Sequence, residues 1–537
     1  MKKFITFIIL SFLTILGSQS FAQHVPVLIT IDTSFGLGGK VEVNVGGFND
    51  ETKGLDVTHD SKVTTVCGKV STPDAGVFHL GMIRVDSTGK LDAGFGTNGI
   101  VNFTWDTSDY PNWMERQPDN ITDSMFILAG GAGTNSSLVP SVYRLKKNGT
   151  PDSNFGENGR LMMKFDDHSG GEAVSVSAKT AYPQYVVCGK SIASDAQGKT
   201  GFGVMTINGD GTLDTSFGDK GRMVIPAPVH SVQGFFLNDR HIFMCGISDS
   251  GSRELIIAHF TEKGQPDTSI AVKGLIHTGI VLTGDTIMAQ FEQGDNKVVM
   301  LLPTSESSPT HIVIRRFDEY GRPDSTYGKN GIGTNDILPS FEPKGLFIAS
   351  DLSEIISGKV NAGLGNSIFV RISDTTAVPD PIFNHNGIIS IDIDSGRFSN
   401  YLTFVEPIGK VDLVGNIKRF IGVGGSVQNG TDHFMVVRMI GYPANSVAEN
   451  NSGSDVLAHI FPDPVTSSFK IEDVANEITD IRIVNALGIE VMDLGAENNF
   501  NGAKVFSANA ANIPNGLYYC IARSRAHQWV QKFIVSH

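Results

Sequence analysis

Apolar positions along this chain fall in short runs separated by glycine, asparagine and aspartate. Ile100 to Trp105, a segment near Met114 to Gln117, Met125 to Gly130 and Val142 to Leu145 follow one another in this way. Runs of this length, rich in β-branched and aromatic residues and bounded by turn formers, predict strands rather than helices. Sixty glycines and a charged fraction of only 18% point the same way. The expected fold class is all-β, and 537 residues is more than one core sustains, so several domains or a repeat array is expected.

The pattern repeats. Its core is Gly-x-x-Asp-x-x-Phe-Gly-x-x-Gly, complete at Gly89 to Gly99, Gly149 to Gly159, Gly211 to Gly221 and, with Tyr327 for phenylalanine, Gly321 to Gly331. Half a copy, Asp32 to Gly36, opens the chain, and two worn copies carry Asp267 and Asp380. The seven aspartates at 32, 92, 152, 214, 267, 324 and 380 are spaced by 60, 60, 62, 53, 57 and 56 residues. A last strand, Phe434 to Ile440, ends the array with no aspartate after it. Each unit reads as four strands lying between one motif and the next. Such a unit cannot bury both faces alone, so copies must stack, and radial stacking of four-stranded sheets makes a propeller. The expectation is a seven-bladed β-propeller over residues 23–440. These residues resemble the delta-60 repeat family of large bacterial surface or exported proteins, a resemblance that implies a propeller and no settled activity.

Within the motif the glycines suit positive φ, and the aspartate can cap the turn. Thr206-x-Asn208-x-Asp210-Gly211-x-x-Asp214 comes close to the calcium loop of integrin-type propellers. In the sister copies, however, Arg84, Arg144 and Arg316 stand eight residues before Asp92, Asp152 and Asp324. A guanidinium there repels a cation, so Arg–Asp pairing across the hairpin is expected instead of metal.

The start of the chain changes its address. Lys2 and Lys3, the apolar stretch Phe4 to Leu16 and Ser20-Phe21-Ala22 read as a secretory signal over residues 1–22, cleaved before Gln23. No later segment is apolar enough for a membrane helix, so no span is expected after cleavage. Loss of the two lysines takes the formal charge from −14 to −16, which makes nucleic acid a poor partner. Four cysteines in an exported chain would ordinarily suggest disulfides. Cys67, Cys188 and Cys245 precede Gly68, Gly189 and Gly246 at one equivalent site in three repeats, so they are expected to be buried core residues instead.

After Ile440 the repeat stops. Residues 441–455 have the composition of a linker, and residues 456–537 read as a small C-terminal β-sandwich. Its landmarks are Phe461-Pro462-Asp463-Pro464, the alternating strand Ile481-Arg482-Ile483-Val484, Gly516-Leu517-Tyr518, and an end in which Lys532 precedes Phe533-Ile534-Val535. Pro462, Asp463, Pro464, Gly516, Tyr518 and Lys532 carry a resemblance to the type A C-terminal sorting domain of the type IX secretion system of Bacteroidota. That resemblance implies the secretion machinery as a partner and passage through the periplasm to the cell surface or the medium.

No nucleophile elbow, His-Glu-x-x-His, P-loop or Cys-x-x-Cys occurs, and no catalytic, cofactor-binding or metal-ligating residue is expected. Trp105, Tyr110 and Trp113 lie within nine residues and could form a platform for a sugar or protein. Packing inside the blade is the alternative for them. The sequence thus points to a non-catalytic binding, adhesion or structural protein whose surface protein, glycan or matrix ligand is unnamed. A secreted polysaccharide hydrolase working on the central face is the rival, and it would need converging carboxylates.

Overall fold

In a computed structural model, the strands and most turns between residues 27 and 535 are described. Residues 1–26, 444–457 and 536–537 fall outside the described residues, as do a set of loops of which 118–124, 303–311, 392–398, 408–418 and 494–504 are the longest. The expected signal segment, and Pro462, Asp463 and Pro464, therefore lie outside them.

The fold is all-β. Among the described residues, seven antiparallel sheets follow one another from Val27 to Pro443. Their first strands are Asp50–Val57, Asp109–Arg116, Ser169–Ala178, Val229–Leu237, Met288–Glu292, Phe341–Ile348 and Ser399–Pro407. Each first strand packs against that of the next sheet, and the seventh packs against the first, so these strands line the inside of a closed ring. We number the sheets by this order. The chain forms a β-propeller.

The repeat read from sequence is displaced from the sheets by one strand. Ile100–Phe103 is not the opening strand of a second unit but the outer strand of the first sheet, with Leu80 opposite Phe103. The motif thus lies inside each sheet, as the hairpin between third and fourth strands. Its aspartate N–H donates back to the third strand, as in Asp92 to Arg84 O (2.8 Å), and this reverses the chain so that the next strand pairs with the one just finished.

The same shift explains the missing eighth aspartate. The last strand, Thr431–Pro443, runs past Ile440 and pairs with both Val27–Ile31 and Lys40–Val43. Asp32 is its aspartate, supplied from the start of the chain: Asp32 N donates to Arg438 O at 2.9 Å. The half motif at the N-terminus completes the seventh sheet and closes the ring.

The cores sit between sheets. One cluster joins Cys67, Leu80, Met82 and Phe95 of the first sheet to Met114, Phe126, Leu128 and Tyr143 of the second. Another joins Phe35, Val43, Ile421 and Phe434 of the seventh to Val66, Ile83 and Val85 of the first. Alternate residues of one strand face opposite neighbours, as Val66 and Cys67 do, because side chains alternate across a sheet. Cys188 and Cys245 likewise face their following sheets. All four cysteines are free and buried, and burial pushes the thiols of Cys188 and Cys245 up to about 12.

Beyond residue 457 two further sheets, of three and four described strands, share one core around Phe469, Ile471, Ile483, Cys520 and Phe533. This is a two-layer β-sandwich. Gly516 opens the strand Gly516–Arg523, where Tyr519 lies opposite Lys532. The buried Tyr518 donates its hydroxyl to Pro514 O at 2.7 Å.

Candidate functional site on the inner strands

The motif hairpins share one set of contacts within and between sheets. Arg84 Nη2 lies 2.8 Å from Asp92 Oδ2, Arg144 Nη2 2.6 Å from Asp152 Oδ2, and Arg316 Nε 2.8 Å from Asp324 Oδ2. Arg371 and Asp380 (3.4 Å) and Arg438 and Asp32 (2.7 Å) add two pairs that sequence reading passed over, the first because its spacing is nine and the second because its partners are 406 residues apart. Each of four guanidinium groups also stacks on its motif ring, with Phe35, Phe95, Phe155 and Tyr327 at 4.5 to 4.8 Å. Arg84, Arg144 and Arg438 reach on to the carbonyls of Lys147, Gly209 and Ser87 in the next sheet. The motif glycine does the same through its N–H, as Gly96 does to Asn148 O at 2.8 Å. Gly96 has φ of 52°, and a Cβ there would lie 2.2 Å from Ile100 O, so glycine is required. These hairpins rivet neighbouring sheets together.

The third sheet has Thr206 where five others have arginine, and its hydroxyl is buried without a partner. The calcium-like loop beside it is internally bonded. Asp210 is exposed and accepts from Thr212 N (2.9 Å) and Oγ1 (2.7 Å), while Asn208 Nδ2 donates to Thr212 Oγ1 at 3.0 Å.

Trp105, Tyr110 and Trp113 are divided among separate surroundings. Trp105 stacks on Tyr143 at 5.2 Å and donates its indole N–H to Asn158 O at 2.9 Å. Tyr110 is buried edge-on to Phe78 (5.6 Å), and Trp113 packs into the core between second and third sheets.

A ring of side chains lines the inside, and the sequence reading missed it. Register shifts interrupt the first strand of six sheets, at Lys53, Asn112, Val174, Ser231–Val232, Lys344 and Thr403. In five of these, the residue two before the bulge thrusts its carbonyl at a second-strand glycine. A Cβ on Gly68, Gly130, Gly189, Gly358 or Gly424 would lie 1.8 to 2.3 Å from the carbonyl oxygen of Glu51, Tyr110, Glu172, Glu342 or Tyr401. The fifth sheet has neither bulge nor glycine, Leu301 standing opposite Met288. The second-strand glycines therefore accompany the bulges.

Those same five residues form two kinds of cross-strand pair. Glu51, Glu172 and Glu342 lie opposite Lys69, Lys190 and Lys359, whereas Tyr110 and Tyr401 lie over Gly131 and Gly425. The pairs also join around the ring. Lys53 Nζ is 2.8 Å from Glu51 Oε2, Lys69 Nζ stands 4.4 Å over the Tyr110 ring, and the Tyr110 hydroxyl donates to Glu172 Oε2 at 3.3 Å. Asn112 Nδ2 donates to the same oxygen at 3.0 Å, and Lys344 pairs with Glu342 and stands 5.9 Å over Tyr401. Burial pushes the Glu51 carboxyl up, but Lys53, Lys69 and Lys344 hold it below its ordinary range. Glu342 is likewise lowered against burial, by Lys344 and Lys359. Next to this arc, burial and the neighbouring Asp432 push Asp50 up to about 6 even though it accepts the Val45 N–H.

Residues 459–536 match the secretion system C-terminal sorting domain. The chain carries a type IX export tail. Residues 127–155 match a domain of unknown function, DUF5122, described as a β-propeller. No curated protein matches the chain. Among solved structures it is similar to the acylaminoacyl peptidase of Pyrococcus horikoshii, at 8% identity and TM-score 0.39 over 81% of this chain and 60% of that one. It is similar to a polysaccharide lyase of the PL25 ulvan lyase family at 9% and 0.39 over 74% and 96%. It is similar also to PorZ, a surface component of the type IX secretion system of Porphyromonas gingivalis, at 8% and 0.17 over 95% and 87%. The sorting domain directs the protein through type IX secretion to the cell surface or beyond it. No helix among the described residues is long and apolar enough to cross a membrane.

Proposed function

We propose that the propeller is a non-catalytic binding module, exported by its C-terminal tail, and that its inner ring of Glu51, Tyr110, Glu172, Glu342 and Tyr401 recognises a polar glycan or peptide segment of the surface or matrix. The observation that carries this reading is the pairing of each inner glutamate with a lysine on the adjacent strand. Alternating acids, ammonium groups and phenols offer hydrogen-bond donors and acceptors with little net charge, which suits a polar ligand. Acid catalysis on a glycoside would need a reachable carboxyl with a raised pKa. Within the ring Glu51 and Glu342 are shifted downward; of the carboxyls beside it that burial pushes up, Asp50 has a fully buried side chain and Glu115, raised to about 7, is engaged by the Ala178 N–H.

The test is a glycan, peptide and matrix-protein binding screen on the mature chain, run beside a polysaccharide depolymerisation assay. Binding that falls at least about tenfold in Glu51→Gln plus Glu342→Gln, with no depolymerisation, is the expected result; tenfold corresponds to about 1.4 kcal/mol. Depolymerisation that disappears in Asp50→Asn would instead make the protein a hydrolase.

A further inference from the structure

The fourth sheet departs from the rivet pattern in a way that brings three ligand-type side chains together. His259 takes the arginine position, eight residues before Asp267, and sits on the third strand, Glu254–Thr261. His241 starts the second strand, His241–Ser248, in which Phe243 is opposite His259. The two histidines are thus diagonal neighbours on one sheet face, with ring centroids 5.0 Å apart. Asp267 completes the group from the hairpin, and one ligand atom from each of the three lies within 4.8 Å of the others.

We propose that His241, His259 Nδ1 and an Asp267 carboxylate oxygen bind one divalent transition-metal ion of the zinc class, in the place that arginine fills in five sister sheets.

The hydrogen bonding of His259 carries the proposal. Its side chain is fully buried, and Nε2 lies 2.9 Å from Glu319 O, an atom that can only accept. The ring proton is therefore on Nε2. Nδ1 then presents a lone pair 3.3 Å from Asp267 Oδ2, and it has no hydrogen-bond partner. Nδ1 of His241 is also buried and unpartnered. Lone pairs from an imidazole and a carboxylate facing one another in a buried place require a cation between them. In the sister sheets that cation is a guanidinium, and here only a metal ion or an added proton can supply it.

The surroundings match those of a metal site. A histidine ligand ordinarily gives its other N–H to a carbonyl, as His259 gives Nε2–H to Glu319. The other carboxylate oxygen, Asp267 Oδ1, is engaged by Ser269 N at 3.0 Å and Ser269 Oγ at 2.5 Å, which leaves Oδ2 for the ion. Two imidazoles and a carboxylate suit zinc and its neighbours rather than calcium or magnesium. Three protein ligands leave a further position for water. The site adjoins a cleft of about 590 Å³ whose lining includes Ser269, Ile270, His277, Tyr320 and Arg322. Tyr320 packs edge-on to His241 at 5.6 Å, and Ile270 occupies the place of the larger Phe217 and Tyr327 of the adjoining copies.

The experiment titrates Co²⁺ and then Zn²⁺ into the chelator-stripped mature chain. It reads the visible Co²⁺ bands, the stoichiometry by calorimetry and the melting temperature. One Co²⁺ per chain, displaced by Zn²⁺, with a raised melting temperature, is expected. His259→Arg restores the sister-sheet residue and keeps the rivet, so it should fold while losing the Co²⁺ bands and the melting shift. His241→Ala, at a half-buried position, should weaken binding at least about 100-fold, the upper end of the loss caused by removing an outer partner of a metal ligand. Absence of Co²⁺ bands in the parent chain, or equal binding by the parent and His259→Arg, overturns the proposal. Circular dichroism spectra unchanged from the parent tie any loss to the site rather than to unfolding.

Discussion

The hairpin motif recurs in all seven sheets and the inner ring draws on five of them, and the two differ in how far they vary. At the hairpins the third-strand position holds arginine in five sheets, histidine in one and threonine in one, and in six an aspartate partner lies within 3.4 Å. At the inner level the residue changes from glutamate to tyrosine, while only the bulge and its glycine recur. A position fixed by neighbour-to-neighbour geometry keeps its chemistry, because every sheet meets the same neighbour. A position that faces the axis is free to differ, and that freedom is what a binding face requires.

The sharpest way to break the hairpin contacts is at the seam of the propeller. Arg438→Ala removes one member of a buried pair and unlinks the N-terminal strand that closes the propeller. A loss of about 3–5 kcal/mol is expected in denaturant unfolding. Burial raises the Asp32 carboxyl, but Ser34 and Arg438 together hold it below the ordinary value. Its folded pKa is therefore below the unfolded one, and its stabilisation is present above about pH 4 and lost as pH falls through the folded pKa. An Asp32→Asn variant should accordingly differ from the parent most at neutral pH and least in acid.

Asp50 tests the opposite sign beside the inner ring. With a folded pKa of about 6, its ionisation costs stability as pH rises from about 4 to 6, and the cost persists above that. Asp50→Asn is expected to gain about 2–3 kcal/mol at pH 7.5, shrinking towards zero near pH 4, as read by thermal melts across pH.

Thr206→Arg supplies the missing guanidinium of the third sheet. It gives Asp214 the partner its sister aspartates have and removes the unpartnered buried hydroxyl, for an expected gain of about 1 kcal/mol. The smallest stability effect belongs to the inner ring. Glu51→Gln alters a pair that is half open to solvent, so unfolding should move by less than about 0.5 kcal/mol. A large destabilisation by Glu51→Gln would erase the contrast between the hairpins and the inner ring.

Much of the architecture was legible because it is periodic. The motif spacing gave the stacked β units, and the position of Cys67, Cys188 and Cys245 before a glycine indicated core residues rather than disulfides. The phase of the repeat was not legible, since a turn reads alike whether it lies inside a sheet or between two. The inner ring left a faint trace, with Glu51, Glu172 and Glu342 preceding Lys69, Lys190 and Lys359 by 18, 18 and 17 residues. A bulge within a strand has no side-chain signature by which that spacing could be interpreted.

By itself the sequence determined the local chemistry: strands, turns, the Arg–Asp hairpin, and a tail that directs export. These depend on residues a few positions apart, whose geometry the backbone nearly dictates. Tertiary structure alone decided that Asp32 answers Arg438 across the whole propeller, that five inner side chains share one level, and that His241 and His259 face Asp267. Such meetings depend on strand register and ring closure, which only the packing of all the sheets together fixes.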